Sequence, residues 1–320
     1  MVAASTTVVI PAFRAAATLR TAAASCGAVA EVIVVLDGPD AESVRALSGL
    51  DVRIVALPEG SGAPACRNLG ARLARTEYLL FLDADDYLEG PFAAAAEAEA
   101  EAASADIVFG RFAFAHRDGS RRTCDPFATY RDFTPAAILR IWLADGFTPP
   151  CALLWRKSFV ASLGGWDEAL AKNQDGDLMF RALFANPRLA RVSEGQGVYV
   201  QDEDSRRITR RHDRRMLSSQ IKVLDKIRSG MAARGFDVRD ALGFAYYNLA
   251  RLAFTHEVDE IGTRAETAAR DLGVKGQPGA VLHSRVATLL GLRGSQRLAR
   301  FVREAPARPL RMWELAAARR

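Results

Sequence analysis

The chain has 320 residues, of which 49% are hydrophobic and 25% charged. A chain of this size can bury a hydrophobic core that is stable without disulfide bonds, so small disulfide-rich proteins are excluded. The mean hydropathy is −0.01 and no run approaches the ~20 apolar residues of a membrane span, so we expect neither a transmembrane nor a wholly disordered protein. The net charge of +5 is unevenly spread, because residues 1–205 carry 19 Lys and Arg against 27 Asp and Glu, whereas residues 206–320 carry 24 against 11. This asymmetry predicts two regions with different partners.

Short β-branched runs alternate with helix-forming segments over the first 120 residues. Runs that read as strands buried on both faces are Thr7–Ile10, Glu31–Leu36, Val52–Leu57, Tyr78–Leu82 and Ile107–Gly110. The segments between them that favour helix are Ala15–Ala28, Ala63–Arg75 and Pro91–Ala103. This alternation predicts an α/β protein with a doubly wound, mostly parallel sheet flanked by helices, whose ligands bind beyond the carboxyl ends of the strands.

The pattern loosens after Gly110. A hairpin is predicted across the Asp118-Gly119 turn, between Arg111–Ala115 and Thr123–Tyr130. Further predicted elements are a helix over Thr134–Ala144, a strand over Cys151–Trp155 and a helix over Leu178–Ala185. The last 115 residues read as helical, with one apolar stripe formed by Leu217, Ile221, Leu224, Ile227 and Met231.

The spacing of the cysteines and the first residues of the chain indicate the cellular compartment in which the protein acts. The four cysteines, at positions 26, 66, 124 and 151, match no C-x-x-C or zinc-ligand spacing. The first residues lack a basic segment followed by an apolar one. We therefore expect reduced, mostly buried thiols, no signal peptide and a cytoplasmic protein.

Three carboxylates, Asp83, Asp85 and Asp86, follow the fourth predicted strand. Like charges this close repel one another, and a divalent cation that neutralises them is the economical explanation. On an extended backbone, the side chains of Asp83 and Asp85 point to the same side, one toward the metal and one toward a ligand hydroxyl. The alternative is a solvated acidic turn in which Asp86 caps a helix.

Six segments in chain order carry a resemblance to a known family: Val8–Phe13, Val34–Gly38, Gly62–Gly70, Tyr78–Asp86, Gly164–Glu168 and Gln174–Leu178. Each segment alone is a weak signal, whereas six in this order are specific. The order resembles the family 2 inverting glycosyltransferases of GT-A fold, over about residues 5–205. The resemblance implies a GT-A catalytic domain over residues 1–205, followed by a basic helical C-terminal region over residues 206–320.

The resemblance also implies a site for a nucleotide-sugar, with UDP as the nucleotide. Asp37 would hydrogen-bond the base, Arg67 would lie near the base and the diphosphate, and Asp83 would bind the ribose. Asp85 would hold the cofactor, Mn²⁺ or Mg²⁺. The full set implied for the nucleotide and the metal is Pro11, Ala12, Phe13, Asp37, Arg67, Asp83, Ala84 and Asp85.

For the transfer step, the resemblance implies Asp175 as the catalytic base, with Trp166, Asp167 and Gln174 beside the sugars. The chain departs from the family where Gln174 replaces the usual Glu and where Asp202 stands at the place of a common His. Either departure could alter the site. Asp177 reads as a first-turn helix residue rather than a second base.

Each implied role has a structural alternative from the residues alone. Asp37 lies in a turn sequence, Arg67 could be a solvated helix residue, and Trp166 could fill the core. None of the four histidines falls in a motif, so we expect each to be structural or exposed.

The reaction that the residues suit is the transfer of a sugar to a hydroxyl of a glycan or lipid-linked glycan. A cation and an arginine stabilise a leaving diphosphate, while a carboxylate accepts the proton of the incoming hydroxyl. A single in-line step inverts the anomeric carbon. Such activity would belong to polysaccharide biosynthesis.

Two other functions stay open. The sequence Gly60-Ser61-Gly62-Ala-Pro-Ala has the form of a dinucleotide fingerprint, with Asp83 about 20 residues on, which suits an NAD-dependent enzyme. A catalytically inactive module that binds a nucleotide-sugar or glycan is the third possibility, because Gln174 replaces an acid.

The basic C-terminal region has three candidate uses. Its arginine cluster Arg206, Arg207, Arg210, Arg211, Arg214 and Arg215 and the segment Leu298–Arg311 suit contact with the cytoplasmic face of an anionic membrane. A second use is a homodimer interface formed by the 217–231 stripe. A third is that the charged helical faces are simply solvated. We expect no nucleic-acid partner, because no aromatic platform or DNA-reading motif accompanies the charge.

Overall fold

The computed structural model describes residues 4–116, 118–125, 133–144, 146–201, 212–274 and 291–295. The chain divides into two compact units. The first comprises residues 1–134, 148–169 and 177–203, and the second comprises residues 135–147, 170–176 and 204–320.

The first unit is organised by one sheet of nine strands among the described residues. The strands are β1 (Thr6–Ala12), β2 (Glu31–Asp37), β3 (Arg53–Leu57), β4 (Tyr78–Phe81), β5 (Tyr87–Glu89), β6 (Ile107–His116), β7 (Arg121–Cys124), β8 (Leu153–Arg156) and β9 (Leu189–Gln201). Their order is β3-β2-β1-β4-β8-β6-β9-β5, with β7 paired to β6. Strands β3, β2, β1 and β4 are parallel, whereas β8 is antiparallel to β4 and β6. The predicted α/β class with a mostly parallel sheet is confirmed.

The described helices flank the sheet in the first unit and form the second. They are α1 (Leu19–Ala24), α2 (Ala41–Ala46), α3 (Gly62–Leu73), α4 (Phe92–Ala102), α5 (Pro135–Leu143), α6 (Lys157–Ser162), α7 (Gln174–Phe184), α8 (Arg214–Arg234), α9 (Arg239–Thr255) and α10 (Asp259–Asp271). Among the described residues, none of these helices is both long and apolar enough to cross a membrane.

Helix α3 lies directly on β1. A Cβ atom at Gly70 would come within 2.3 Å of Val9 Cγ1, so this position accepts only hydrogen as a side chain. Val9 is fully buried, and glycine in the helix interior costs about 1 kcal/mol relative to alanine. The close approach of α3 to β1 therefore explains why glycine stands at position 70, although glycine destabilises a helix.

The second unit buries the apolar stripe that the sequence predicts. Leu217, Ile221, Leu224, Ile227 and Met231 are all buried on α8, which packs against α9 and α10. The predicted helix is confirmed. The stripe is not available as a homodimer face, because residues of the same chain already cover it.

Some predicted elements differ from the observed ones. Helix α1 is shorter than predicted and ends before Gly27, whose φ of +68° is left-handed. Residues 150–152 form a 3₁₀ turn, so β8 begins only at Leu153. The sequence does not predict β9, which contains Gly195 and Gly197; a Cβ at Gly197 would lie 2.6 Å from the Cys151 carbonyl oxygen. Glycine at position 197 is therefore explained by the close approach of the Cys151 backbone rather than by strand propensity.

The predicted hairpin is present between β6 and β7, with Gly119 at φ +82° in its turn, although residues 126–130 of the predicted second strand lie outside the described residues. The prediction for the cysteines is confirmed as well: all four are free, and three are buried. Burial raises the pKa of Cys26 to about 12 and that of Cys66 to about 11, so both thiols are protonated at neutral pH.

Candidate functional site

Polar and aromatic residues follow three neighbouring parallel strands at one edge of the sheet. Ala12 pairs with Leu36, so Phe13 after β1 lies beside Asp37 at the end of β2. Val9 pairs with Phe81, which brings the residues after β4 to the same edge. We call this arrangement of Phe13, Asp37 and residues 83–86 the polar edge.

Phe13 is the exposed member of its motif. Its side chain is 53% exposed, and the Arg14 guanidinium carbon lies 5.0 Å from the centre of its ring. Pro11 and Ala12 are buried within β1. An exposed aromatic ring at the end of a buried strand is a surface on which a planar group can stack.

Asp37 organises the loop that precedes α3. Its Oδ1 accepts the Ser61 N–H at 2.8 Å, and its Oδ2 accepts the Gly62 N–H at 3.0 Å. These contacts agree with the structural alternative for Asp37, and contact with a nucleotide base stays a prediction. The two amides are also those that a dinucleotide fingerprint would turn toward a pyrophosphate.

The acidic residues Asp83–Asp86, which we call the acidic turn, do not follow an extended backbone. The Asp86 N–H donates to the Asp83 carbonyl at 3.0 Å, so the chain reverses here. The expectation of an extended D-x-D pair is therefore wrong. The reason is that β4 ends at Phe81, and the chain must turn within four residues to enter β5.

Each carboxylate of the acidic turn has a different environment. Asp83 Oδ1 accepts a hydrogen bond from Arg67. Asp86 is only 1% exposed, and it accepts the Val200 N–H at 2.9 Å and contacts the Cys151 thiol. It caps no helix, so the alternative role expected for it is also wrong. Asp85 is half-buried and remains accessible from solvent.

Arg67 points into the protein rather than into solvent. Its side chain is 7% exposed, forms the ion pair with Asp83 and lies 4.4 Å from the centre of the Trp166 ring. Its buried Nε has no hydrogen-bond partner among the described residues. The reading of Arg67 as a solvated helix residue is therefore wrong, because its charge is held at the end of β4.

Burial of the Cys151 thiol, together with the nearby carboxylates of Asp86 and Asp83, raises its pKa well above the ordinary value. The thiol is therefore a hydrogen-bond donor to Asp86 at neutral pH. This contact holds the Asp86 carboxylate within the fold.

The segment Gly164–Glu168, here called the Trp166 loop, is tied to α3 by Asn68. Asn68 Oδ1 accepts the Trp166 N–H at 2.8 Å, while Asn68 Nδ2 donates to the Trp166 carbonyl at 2.9 Å and to Glu168 at 2.8 Å. A Cβ at Gly165 would lie 2.5 Å from Asn68 Oδ1, which explains the glycine. Sequence reasoning assigns no role to Asn68, although it lies within the Gly62–Gly70 motif.

Arg181 supports the same loop from α7. It forms an ion pair with Asp177 and donates to the carbonyls of Leu163 and Gly165 at 2.7 and 2.8 Å. Asp177 is almost fully buried, so it supports the loop through Arg181, in agreement with its expected structural role. The i, i+4 spacing of the two residues is the signal in the sequence that could have identified the pair.

The Trp166 ring itself packs in the core. It is 4% exposed and meets Phe81 edge to face at 5.2 Å between ring centres. Its buried indole N–H has no hydrogen-bond partner among the described residues. Asp167 accepts the Ala169 N–H at 2.9 Å within the same loop. Contacts of Trp166 and Asp167 with a sugar stay predictions.

The described residues suit a divalent cation that is bound together with a phosphate ligand. Among the described ranges, no group of three or more His, Cys, Asp and Glu side chains could hold a metal ion by itself. Mg²⁺ is commonly bound by one or two carboxylates together with substrate phosphates and water. The half-buried Asp85 at the polar edge suits that mode, with a diphosphate as co-ligand.

Asp175 belongs to the second unit and is the second residue of α7. Gln174, the first residue of α7, donates from Nε2 to the Leu170 carbonyl at 2.9 Å, so it holds the start of the helix to residues 170–173. The Ala171 N–H donates to Ser219 Oγ of α8 at 2.7 Å. Ser219 has no signal in the sequence that could have identified it. Asp202 lies outside the described residues.

Comparisons with known proteins agree with these features. Residues 7–161 match the family model described as glycosyl transferase family 2. Two pre-mycofactocin glycosyltransferases of Mycobacterium tuberculosis, from strains CDC 1551 and H37Rv, are 27% identical over 194 residues, which is 57% of this chain and 40% of theirs. The chain thus spans about two fifths of the length of these relatives. The resemblance expected from the six motifs is confirmed.

Solved structures share the fold. S. aureus TarS 1–349 in complex with UDP-GlcNAc has a TM-score of 0.64 and 14% identity, with 93% of this chain and 91% of that chain covered. GalNAc-T7 with UDP, GalNAc and Mn²⁺ has a TM-score of 0.56 and 13% identity, with 82% and 54% covered. The GT-A fold predicted for this protein is therefore confirmed.

Asn68→Ala is expected to loosen the Trp166 loop. The substitution removes three hydrogen bonds, two of them to backbone groups of Trp166, and should cost about 1–3 kcal/mol of unfolding free energy. Urea denaturation measures the loss, and amide exchange at residues 164–168 should rise. Glu168→Gln is the control, since it alters only the exposed third bond. Equal stability of Asn68→Ala and the wild type would contradict this account.

Proposed function

From the match of residues 7–161 to the glycosyl transferase family 2 model, we propose that this protein transfers a sugar from a UDP-sugar to a hydroxyl of a glycan or lipid-linked glycan, with inversion at the anomeric carbon. The observation that carries the proposal is the polar edge, where Phe13, Asp37 and the acidic turn end three adjacent parallel strands. Ligands of such sheets bind beyond the carboxyl ends of the strands.

The nucleotide would occupy this edge. The exposed ring of Phe13 offers a stacking face for the base, and Asp37 and Asp83 offer hydrogen-bond acceptors to the base and the ribose. Asp37 already accepts two backbone amides, but each carboxylate oxygen has a second lone pair. These features support the donor part of the proposal.

Asp85 would hold Mn²⁺ or Mg²⁺ together with the diphosphate, and the bound cation would supply positive charge to the leaving group. The chain contributes the buried charge of Arg67, which its ion pair with Asp83 and its contact with Trp166 hold in one orientation. A charge fixed before the reaction needs no reorganisation when the diphosphate leaves.

Asp175 would be the general base. Its carboxylate would accept the proton of the acceptor hydroxyl as the new C–O bond forms on one face of the sugar and the bond to the diphosphate breaks on the other. A single displacement of this kind inverts the configuration. The neighbouring Gln174, which replaces the usual Glu, donates a hydrogen bond to the Leu170 carbonyl. The replacement therefore affects how the start of α7 is held and leaves the Asp175 carboxylate itself in place.

The NAD-dependent alternative has less support from the sheet. In a dinucleotide unit, the strand after the glycine-rich helix lies next to the strand before it. Here β3 precedes the Gly60–Gly62 loop, and β4 is separated from β3 by β2 and β1. The Ser61 and Gly62 amides are also used by Asp37. The inactive binding module remains to be separated from the enzyme by turnover.

Asp85→Asn is expected to abolish metal-dependent binding of UDP. UDP with Mn²⁺ should raise the melting temperature of the wild type by a few degrees at concentrations well above Kd, and chelation of the metal should remove the shift. Asp51→Asn, which alters an exposed aspartate of a loop, is the control. Protection by NAD, or metal-independent protection by UDP in Asp85→Asn, would contradict the assignment.

Asp175→Asn should lower turnover about 10²-fold or more while leaving protection by UDP and Mn²⁺ unchanged, because loss of a general base affects the transfer and not donor binding. UDP release from a panel of nucleotide-sugars, with and without glycan acceptors, measures the loss, and NMR of the product gives the anomer. Unchanged turnover would exclude Asp175 as the base. A wild type that binds UDP but turns over no donor would be the binding module.

The protein is proposed to act in the cytoplasm, with its basic C-terminal region on an anionic membrane face. Arg214 of this region pairs with Glu260 of α10, while Arg206, Arg207, Arg210 and Arg211 lie outside the described residues. The wild type should float with vesicles that contain anionic phospholipid, and less so at high salt. A variant with Arg206, Arg207, Arg210 and Arg211 each changed to Glu should not float. A wild type that stays unbound would contradict the proposal.

A further inference from the structure

Residues 170–173, which lead into α7, are anchored by a buried hydroxyl. Ser219, in α8, is 4% exposed, and its Oγ accepts the Ala171 N–H at 2.7 Å in a partly buried hydrogen bond. Leu170, the preceding residue, is buried as well. A hydrogen bond of this kind contributes about 1 kcal/mol, so it favours one position of the segment.

This segment leads directly into α7, whose first two residues are Gln174 and Asp175. Asn173 has a φ of +60°, and a Cβ at Gly176 would lie 2.1 Å from Asn173 Oδ1. The Gln174 side chain donates to the Leu170 carbonyl. These contacts hold the first turn of α7 to the segment that Ser219 anchors.

A second contact, within the second unit, holds the same segment through Lys172. Lys172 is buried, its Nζ lies 3.3 Å from His212 Nδ1, and the His212 ring lies 4.8 Å from that of His256. Burial lowers the pKa of Lys172 to about 8 and, with Lys172 and His256 nearby, that of His212 to about 4. His212 is therefore neutral at neutral pH and can accept a hydrogen bond from the ammonium group.

We propose that Ser219 is a positioning residue for Asp175, and that it acts through its hydrogen bond to the Ala171 N–H. This inference rests on the proposed function, in which Asp175 is the general base. Ala171 lies four residues before Asp175, and the segment that Ser219 anchors leads directly into the first turn of α7, which carries Asp175.

The effect of Ser219 falls on turnover and not on donor binding. A general base must lie about 2.6–3.2 Å from the proton-bearing oxygen, and a misplacement of about 1 Å can cost about 10²-fold. The residues proposed to bind the nucleotide lie on or directly after β1 and β2, on α3 and in the acidic turn, whereas Ser219 lies on α8 and bonds to the segment before α7.

Ser219→Ala is expected to lower kcat about tenfold or more, with the KM for the UDP-sugar and the protection by UDP and Mn²⁺ unchanged. Ser229→Ala is the matched control, because it removes a hydroxyl from an exposed residue of the same helix that bonds only to the Asp225 carbonyl. Ser219→Cys keeps the volume but accepts hydrogen bonds weakly, so it should lose turnover as well, even if the alanine variant folds poorly. Unchanged kcat in both Ser219 variants would overturn the proposal.

A double-mutant cycle with Asp175→Asn distinguishes positioning from general stability. If Ser219 acts through Asp175, adding Ser219→Ala to Asp175→Asn should cause no further loss of turnover. Independent losses that multiply would show that Ser219 acts elsewhere and would overturn the proposal.

Hydrogen exchange tests the anchor without any activity. Amides of residues 170–176 should exchange faster in Ser219→Ala than in the wild type or in Ser229→Ala. Unchanged exchange would overturn the anchoring role even in an active enzyme. A wild type that turns over no donor would overturn the proposed function, and with it the role in positioning a base, whatever the exchange data show about the anchor.

Discussion

The ion pair between Arg67 and Asp83 is the interaction on which the candidate site depends. A guanidinium this deeply buried needs a counter-charge, and Asp83 at the end of β4 provides it. The pair fixes the relation between α3 and the acidic turn and places the Arg67 guanidinium over the Trp166 ring. Asp83 is hydrogen-bonded to Arg67 and Asp86 to Val200 and Cys151, while Asp85 in the same turn is half-buried.

The same helix supports the neighbouring loop. Asn68 follows Arg67 and holds both backbone polar groups of Trp166, while Arg181 holds the carbonyls of Leu163 and Gly165. Adjacent residues of α3 thus serve two purposes, the charge at the sheet edge and the shape of the Trp166 loop. A site whose side chains are fixed by such contacts is preorganised for a charged ligand.

The proposed base, Asp175, belongs to the second unit rather than to the first. Asp175 lies in the first turn of α7, and the residues just before this helix are held by the Ser219 hydroxyl and by the contact of Lys172 with His212, all in the second unit. The basic helical region is therefore more than a candidate membrane contact, because it carries the anchor of a residue proposed to move the proton. The buried stripe of α8 provides the rigidity that such an anchor requires.

The sequence by itself determined the α/β class, the strands β1 to β4 and the order of the six motifs, because hydrophobic period and short motifs are local properties of the chain. It did not determine the turn at Asp83–Asp86, the burial of Arg67, strand β9 or the contacts of Asn68 with Trp166 and of Ala171 with Ser219. Most of those depend on residues far apart in the chain, 98 positions in the contact of Asn68 with Trp166 and 48 in that of Ala171 with Ser219. Only tertiary packing brings such residues together, so it decided which carboxylate stays accessible and which helix holds the proposed base.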